Sequence, residues 1–335
     1  MRLGSRLRSL GRKSLAVLFP FAILSAGCGD GGGSESGAFR VALLSPGPVS
    51  DEGWNAAAYE GLRRIESELG ASISQQETKS KGDMVEGYRE YARLGYDVVI
   101  GHGGEYQDAA REVGPSFPRT VFLVTAGREA HAPNVAPLLL ELEEAAYVAG
   151  WVAARVSGTG RLGCIGGMKI EPIERTFAGF EAGARAARAD TVVRTSYVGN
   201  WEDTSAAREA AKALIGEGVD VLFHNADAAG LGVFKAAREH EGVLAIGSNK
   251  DQNALEPGVV LASAVADVPR VFVEAARAVK EGTFRAEVRR FGLKDGAVSL
   301  VYNPLLLSRI PQDVRDGAEA VSRDIRDGKI AVPKK

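Results

Sequence analysis

From Phe39 onward the chain alternates short β-branched, apolar runs with longer amphipathic stretches, and it does so in two successive series. The first reads FRVALLS as a strand, Glu52 to Leu69 as a helix, ASISQQE as a strand, Gly82 to Leu94 as a helix, YDVVIG as a strand, a helix near Glu105 to Val113, then TVFLVT and NVAPLLL. Strands separated by helices of this length require right-handed crossovers and a parallel sheet covered on both faces. Residues 141–156 form a helix whose apolar stripe includes Leu142, Ala145, Ala149, Val152 and Val156, and after it the rhythm restarts. The second series is RLGCIGG, a helix from about Ile173 to Ala189, TVVRTSYV, a helix from about Thr204 to Ile215, VDVLFHN, a helix through Phe234, and VLAIGSN. What remains is VVLASAV, a helix over Val268 to Lys280, RAEVRRFG, AVSLVYN and a helix near Asp313 to Ile325. That is too little for a third sheet, so it returns to complete the first two. The expected fold class is α/β: two Rossmann-like parallel-sheet lobes joined by a hinge of several crossings, which favours closure around a ligand. Lobe 1 is expected over 39–155, completed by part of 265–335, and lobe 2 over 156–264, completed by part of 283–310.

Ligands of open α/β sheets bind beyond the carboxyl ends of the strands. Those ends are rich in polar and aromatic residues here. GPVSDEGWN follows the first strand with Asp51, Trp54 and Asn55; HGGEYQD follows the third with Gly103 and Asp108; GNWED carries Trp201; HNADAAG carries Asn225 and Asp227; SNKDQN carries Asn249. Trp54 and Trp201 fall in different lobes, the arrangement needed to stack a flat polar ligand from both sides. Taken singly, these residues have local explanations. Asp51 and Asp203 would cap helices, Trp54 would be a hydrophobic staple, Glu202 and Lys250 would be solvated, and His102 and His224 would be satisfied turn histidines. Trp151, in mid-helix, is expected in packing.

Other function classes find little support. Formal net charge is −2, from 41 Lys and Arg against 43 Asp and Glu, with basic residues scattered beyond the extreme N-terminus, so nucleic acid is not an expected partner. His102-Gly103-Gly104 has no G-x-S-x-G elbow to serve, and GCIGGMK lacks the phosphate-loop spacing. An acid/base pair such as Asp108 with Asp227 is conceivable, but nothing in the sequence joins the two. An enzyme is not expected, nor is a cofactor. The four histidines show no ligand spacing, so no metal is expected either. The N-terminus places Arg2, Arg6, Arg8, Arg12 and Lys13 before an apolar core from Leu15 to Ala26 that Pro20 interrupts, which reads as an export signal over 1–28. Leu24-Ser25-Ala26-Gly27-Cys28 resembles a lipobox, with Leu one place further out than usual, so Cys28 is the expected lipid anchor and 29–38 a flexible tether. Cys164, in an apolar run, then has no disulfide partner and is expected to be buried.

The order and spacing of GPVSDEGWN, YEGL, VVIGHGGEYQDAAREVGPSFP, EEAAYVAGWVAA, GCIGGMKIEPIERTFAGFEAGA, VGNWED and AIGSNKDQN closely resemble the Bmp family of basic membrane lipoproteins, from Phe39 to about Asp327. The resemblance implies a periplasmic binding protein type 1 fold. It further implies a monomeric solute receptor outside the cytoplasm, serving an ABC permease and its ATPase, with a purine nucleoside or base as ligand. On the family pattern Asp51, Trp54 and Asn55 match the first turn, Trp201 the second aromatic, and Asp108 an acid at the base edge. Two positions depart from it. Asn249 stands where an Asp holds ribose hydroxyls, and Ala266 where a Lys is common, so a nucleobase or another flat heterocycle is an alternative ligand. A signalling receptor using the same cleft is an alternative role.

Overall fold

The computed structural model describes residues 37–334; the expected signal peptide, Cys28 and nearly all of the tether lie outside the described residues. Residues 38 onward form one compact unit containing two six-stranded sheets. The first sheet runs β11-β5-β4-β3-β1-β2 and the second β12-β10-β9-β8-β6-β7. In the first, β1 is Arg40–Ser45, β2 Ser72–Glu77, β3 Val98–His102, β4 Val121–Thr125, β5 Val135–Leu140 and β11 Arg289–Phe291. In the second, β6 is Arg161–Gly166, β7 Val192–Tyr197, β8 Val221–Asn225, β9 Leu244–Asn249, β10 Val260–Ala266 and β12 Val298–Tyr302. The central strands are buried on both faces, which is why they read as continuous apolar runs rather than as alternating ones. In each sheet the strand order reverses beside the first strand of its series, between β1 and β3 and between β6 and β8. Switch points of this kind are where open α/β sheets generally bind ligands.

One strand departs from the all-parallel expectation: β12 is antiparallel to β10, with Val298 opposite Ala266. The cause is where the chain crosses. Strand β11 runs parallel to β5 and ends with Phe291 opposite Leu140, so the chain leaves the first sheet at its carboxyl edge. It enters the second sheet at the matching edge and can only run backwards along β10.

Three crossings, at 141, 267 and 292–297, form the hinge. The Glu141 amide donates to Phe291 O (2.9 Å), the Asp267 amide to Ala297 O (2.7 Å), and the Leu293 amide to the Glu144 carboxylate (2.7 Å). Helix α8 (Val268–Lys280) packs on α1 (Trp54–Leu69) over the first sheet. Helix α4 (Leu142–Val156) packs on α5 (Glu171–Ala187) and against β10 and β12 of the second sheet. The expected lobe boundary after residue 155 assigned α4 to lobe 1; its packing puts it with lobe 2, because the crossing precedes the helix rather than following it.

Helices α4 and α5 meet backbone to backbone. A Cβ on Gly150 would collide with the Phe180 carbonyl, one on Gly183 with that of Tyr147, and one on Gly179 with that of Glu143. Main-chain atoms cannot yield as a flexible side chain would, so overpacking here separates the helices. Gly183→Ala is expected to destabilise the protein by about 1–3 kcal/mol, read as a lowered Tm in thermal denaturation, whereas Gly216→Ala, where a Cβ meets nothing, should not.

Candidate ligand-binding site

The turn after β1 is built by Asp51. Its carboxylate accepts from the backbone amides of Gly53 (3.0 Å), Asn55 (2.9 Å) and Ala56 (2.8 Å) and from Asn55 Nδ2 (2.8 Å). These are the otherwise unpaired donors at the start of α1, so Asp51 holds the helix entry rigid. The capping role and a place in the cavity wall therefore coincide in one residue. Asn55, tied to Asp51 through its amide nitrogen, keeps its Oδ1 buried without a hydrogen-bond partner.

Trp54 begins α1 and lies on His102, ring centroids 4.1 Å apart and planes 23° apart. His102 is fully buried at the end of β3, with Nε2 3.0 Å from Trp54 O and Nδ1 3.0 Å from the Thr125 hydroxyl. A carbonyl can only accept, so Nε2 carries the proton and Nδ1 accepts from Thr125. Desolvation holds the imidazole neutral, with its pKa lowered to about 3. Trp54 thus rests on an uncharged ring. Trp201, after β7, packs against Gly167, where a Cβ would collide with its six-membered ring.

The second lobe supplies Asn225 at the end of β8, Asp227 just beyond it, and Asn249 at the end of β9. Asn249 Nδ2 lies 3.2 Å from Asn225 Oδ1 and 3.3 Å from Asp227 Oδ1. Asp227 and Asn249 both adopt left-handed backbone, φ 47° and 66°, as do Ala126 (54°) and Glu52 (53°). Such conformations are costly outside glycine and concentrate where a fold positions side chains for a ligand. The lobes meet at this point. The Trp54 amide donates to Asp227 Oδ1 (3.2 Å), Gln252 Nε2 donates to Glu52 O (3.0 Å), and Lys250 pairs with Glu60 (3.4 Å). Gly53 makes the approach possible, since a Cβ there would sit 2.8 Å from Asp227 Oδ1. Burial, and secondarily the nearby Asp51 charge, raise the Asp227 carboxyl to about 7.

Between the lobes lies a cavity of about 230 Å³ lined by Asp51, Trp54, Asn55, Gly103, Trp201, Asn225, Asp227 and Asn249. The volume is just below the ~300–1,000 Å³ usual for small-molecule sites, as suits a closed cleft. Ala266 also lines it. Asp108 does not. It lies on the exposed face of α3 (Gln107–Val113) and pairs with Arg111 at 2.9 Å, because the short helix begins one residue earlier and turns it outward. The acid that reaches the cavity from this loop is Glu105. Glu143 and Arg175 also line it and were missed. They stand on α4 and α5 in helical patterns that read as structural. Yet α5 follows β6, a switch-point strand whose carboxyl end, GMKIEPIER, warranted the same inspection as the others. Among the described residues no cluster of His, Cys, Asp and Glu could hold a metal, and no helix is long and apolar enough to cross a membrane. Cys164 is buried and free.

Comparison with known proteins agrees with this architecture. Residues 38–330 match the model of the Bmp family, described as ABC transporter substrate-binding protein PnrA-like. Basic membrane protein A2 of Borrelia garinii is 28% identical over 327 residues, covering 95% of each chain. The ABC transporter nucleoside-binding protein BmpA of Lactococcus lactis is 30% identical over 308 residues, covering 86% of each. In structure, an ABC transporter solute-binding protein from Aeropyrum pernix superposes with a TM-score of 0.81 at 24% identity, over 89% of this chain and 94% of that one. The fold is that of type 1 periplasmic binding proteins.

The Asp227 carboxyl gives the site a pH signature. Folded, it keeps its proton up to about pH 7, whereas an unfolded Asp releases it near ~4. The native state therefore binds more protons across that interval, and this contribution to stability is lost as pH rises through it. Buried His102 and His224, lowered to about 3 and about 4, act with the opposite sign. The Asp227 contribution is isolated by difference: the Tm of Asp227→Asn minus that of the native protein should grow from pH 4 to pH 7.5. A difference independent of pH would show that Asp227 titrates normally.

Proposed function

As a member of the Bmp family of PnrA-like ABC transporter substrate-binding proteins, the chain is a solute receptor of an ABC transporter, and we propose that its solute is a purine nucleoside or purine base. The family is one of transporter components, not of enzymes. The observation that carries the reading is that Trp54 and Trp201, one from each lobe and each backed by a rigid neighbour, line the same cavity. Two indoles lining one cavity from opposite lobes suit a planar ring system. Around it stand the acceptors Asn55 Oδ1, Asn225 Oδ1 and the Asp227 carboxyl, a pattern that rewards a ring with several N–H donors. The Lactococcus lactis relative is named as nucleoside-binding, which supports the same ligand class.

In this reading the receptor is exported, is held to the outer face of a membrane by a lipid on Cys28, and works as a monomer. Closure shuts out water, so each unmatched polar group in the cavity costs about 1–3 kcal/mol, and that cost makes the closed state selective. The closed form is then what the permease recognises, with transport energy supplied by a separate ATPase.

Mass spectrometry of the small molecule released from gently purified protein is expected to yield a purine; recovery of a sugar or amino acid would refute this assignment. Trp201→Ala should weaken inosine or hypoxanthine binding at least tenfold in titration calorimetry while leaving the ligand-free Tm within about 2 °C of native, because only the aromatic contact of about 0.5–1.5 kcal/mol and its buried area are removed. Undiminished affinity would dismiss the aromatic clamp.

A further inference from the structure

Arg175 is the only cation among the described residues that line the cavity, beside five carboxylates: Asp51, Glu105, Glu143, Glu202 and Asp227. Its side chain is 13% exposed and that of Glu143 only 1%. The pair is close but poorly aligned. Arg175 Nε lies 3.1 Å from Glu143 Oε1, yet neither atom has a hydrogen-bond partner. Nη2 reaches Glu143 Oε2 at 3.4 Å and Nη1 reaches Glu171 at 3.4 Å. A guanidinium has five N–H donors and no acceptor. Two carboxylates, met at 3.1–3.4 Å and with Nε unaligned, use only part of its five donors, in a site where unpaired donors are costly. The Glu143 backbone is fixed in α4 at its contact with Gly179, and its carboxylate stands beside the guanidinium, so it positions Arg175 on the cavity wall. Burial keeps the Glu143 carboxyl above its ordinary range, with Arg175 opposing the shift.

Resting on the purine reading above, we propose that Arg175, positioned by Glu143, is a specificity-determining residue that selects 6-oxopurines over adenine by donating to the adjacent O6 and N7 acceptors of the bound base. The guanidinium fork is planar and matches two neighbouring in-plane acceptors, the O6 and N7 edge of guanine and hypoxanthine. Adenine presents an N6 amino group in place of O6, turning donor against donor and leaving Arg175 unpaired after closure. The opposite polarity elsewhere in the cavity fits the same ligands. Asn55 Oδ1 and Asp227 can accept from the N1–H of either oxopurine and from the 2-amino group of guanine. The excess of carboxylates also disfavours phosphorylated ligands, so nucleosides or bases are expected and nucleotides are not.

Titration calorimetry with inosine, guanosine, adenosine and 7-deazaguanosine tests this. The native protein should bind inosine and guanosine at least tenfold more tightly than adenosine, and guanosine more tightly than 7-deazaguanosine, which lacks N7. In Arg175→Gln the inosine-to-adenosine ratio should collapse to within about twofold, through loss of inosine affinity. Equal binding of adenosine and inosine by the native protein overturns the assignment to Arg175 while leaving the purine reading intact. Failure of all four nucleosides and of hypoxanthine and adenine to bind overturns both. Should Arg175→Gln not fold, the comparison of guanosine with 7-deazaguanosine on the native protein decides the matter.

Discussion

The closed state depends on the meeting of Gly53 and Trp54 with Asp227. One carboxyl, 9% exposed, takes the Trp54 amide of lobe 1 and the Asn249 amide of lobe 2, with the Asp51 charge nearby. A lone carboxylate would not tolerate such a position, since its desolvation is repaid only through partners. Two donors come from the protein, and a proton or a ligand N–H can supply more. The Asn249 bond lies within lobe 2, so closing the lobes adds the Trp54 amide to Asp227, and on the proposed reading a ligand donor there would bias the hinge through the same carboxyl. Interactions present only in the closed state are the kind through which a ligand shifts a conformational equilibrium.

Around that seam the aromatic groups are held, not merely present. His102, neutral in a single tautomer, supports Trp54 from beneath and ties its carbonyl. Gly167, lacking a side chain, leaves room for the Trp201 ring. His224 plays a related part in lobe 2. It donates through Nε2 to Gln252, whose side-chain nitrogen reaches across to Glu52 O. Each strand-end histidine is thus a strut for a closure contact. Burial strips both of charge, so they keep their geometry over the range in which an exposed histidine would titrate. Ordering these side chains in advance lowers the entropy lost when a ligand arrives.

The fold was legible because a buried parallel sheet leaves a coarse signature: apolar runs at one spacing, amphipathic helices at another. All twelve strands and nine α-helices among the described residues lie where those patterns put them, whereas the 3-10 turn at Pro304–Arg309 carries no such pattern. Details governed by direction and helix phase were not. Nothing in AVSLVYN reveals that β12 runs backwards; that follows from where the chain crosses the hinge. Nothing in the stripe of α4 says which sheet it covers, for a helix buried on nearly every side has no preferred partner. Asp108 failed for a similar reason. Where the loop gives way to α3 sets which acid meets the cavity: Glu105 lies before the helix and lines it, while Asp108 lies on the exposed face of α3. Arg175 was hidden by its neighbours, since a charge within an amphipathic pattern looks like a solvated face until the helix is seen to begin at a switch point.

The two sheets repeat one strand order, yet their contributions to the site are unequal. Lobe 1 brings Trp54 on a turn whose own carboxylate, Asp51, is already satisfied by local amides. Lobe 2 brings Trp201, Arg175, and the Asn225, Asp227 and Asn249 cluster with its strained backbone. Left-handed backbone is shared evenly, with Glu52 and Ala126 in lobe 1 and Asp227 and Asn249 in lobe 2, but more of the polar side chains that line the cavity stand on lobe 2. On the proposed reading, lobe 2 would orient a ligand before closure, and lobe 1 would then add Trp54 and the unpartnered Asn55 Oδ1, with the Trp54 amide closing on Asp227. On that reading, substitutions in lobe 2 would act first on which solute is chosen. Those at Gly53 and Trp54 act first on how firmly the cleft stays shut. The distinction follows from which hydrogen bonds exist within one lobe and which exist only between the two.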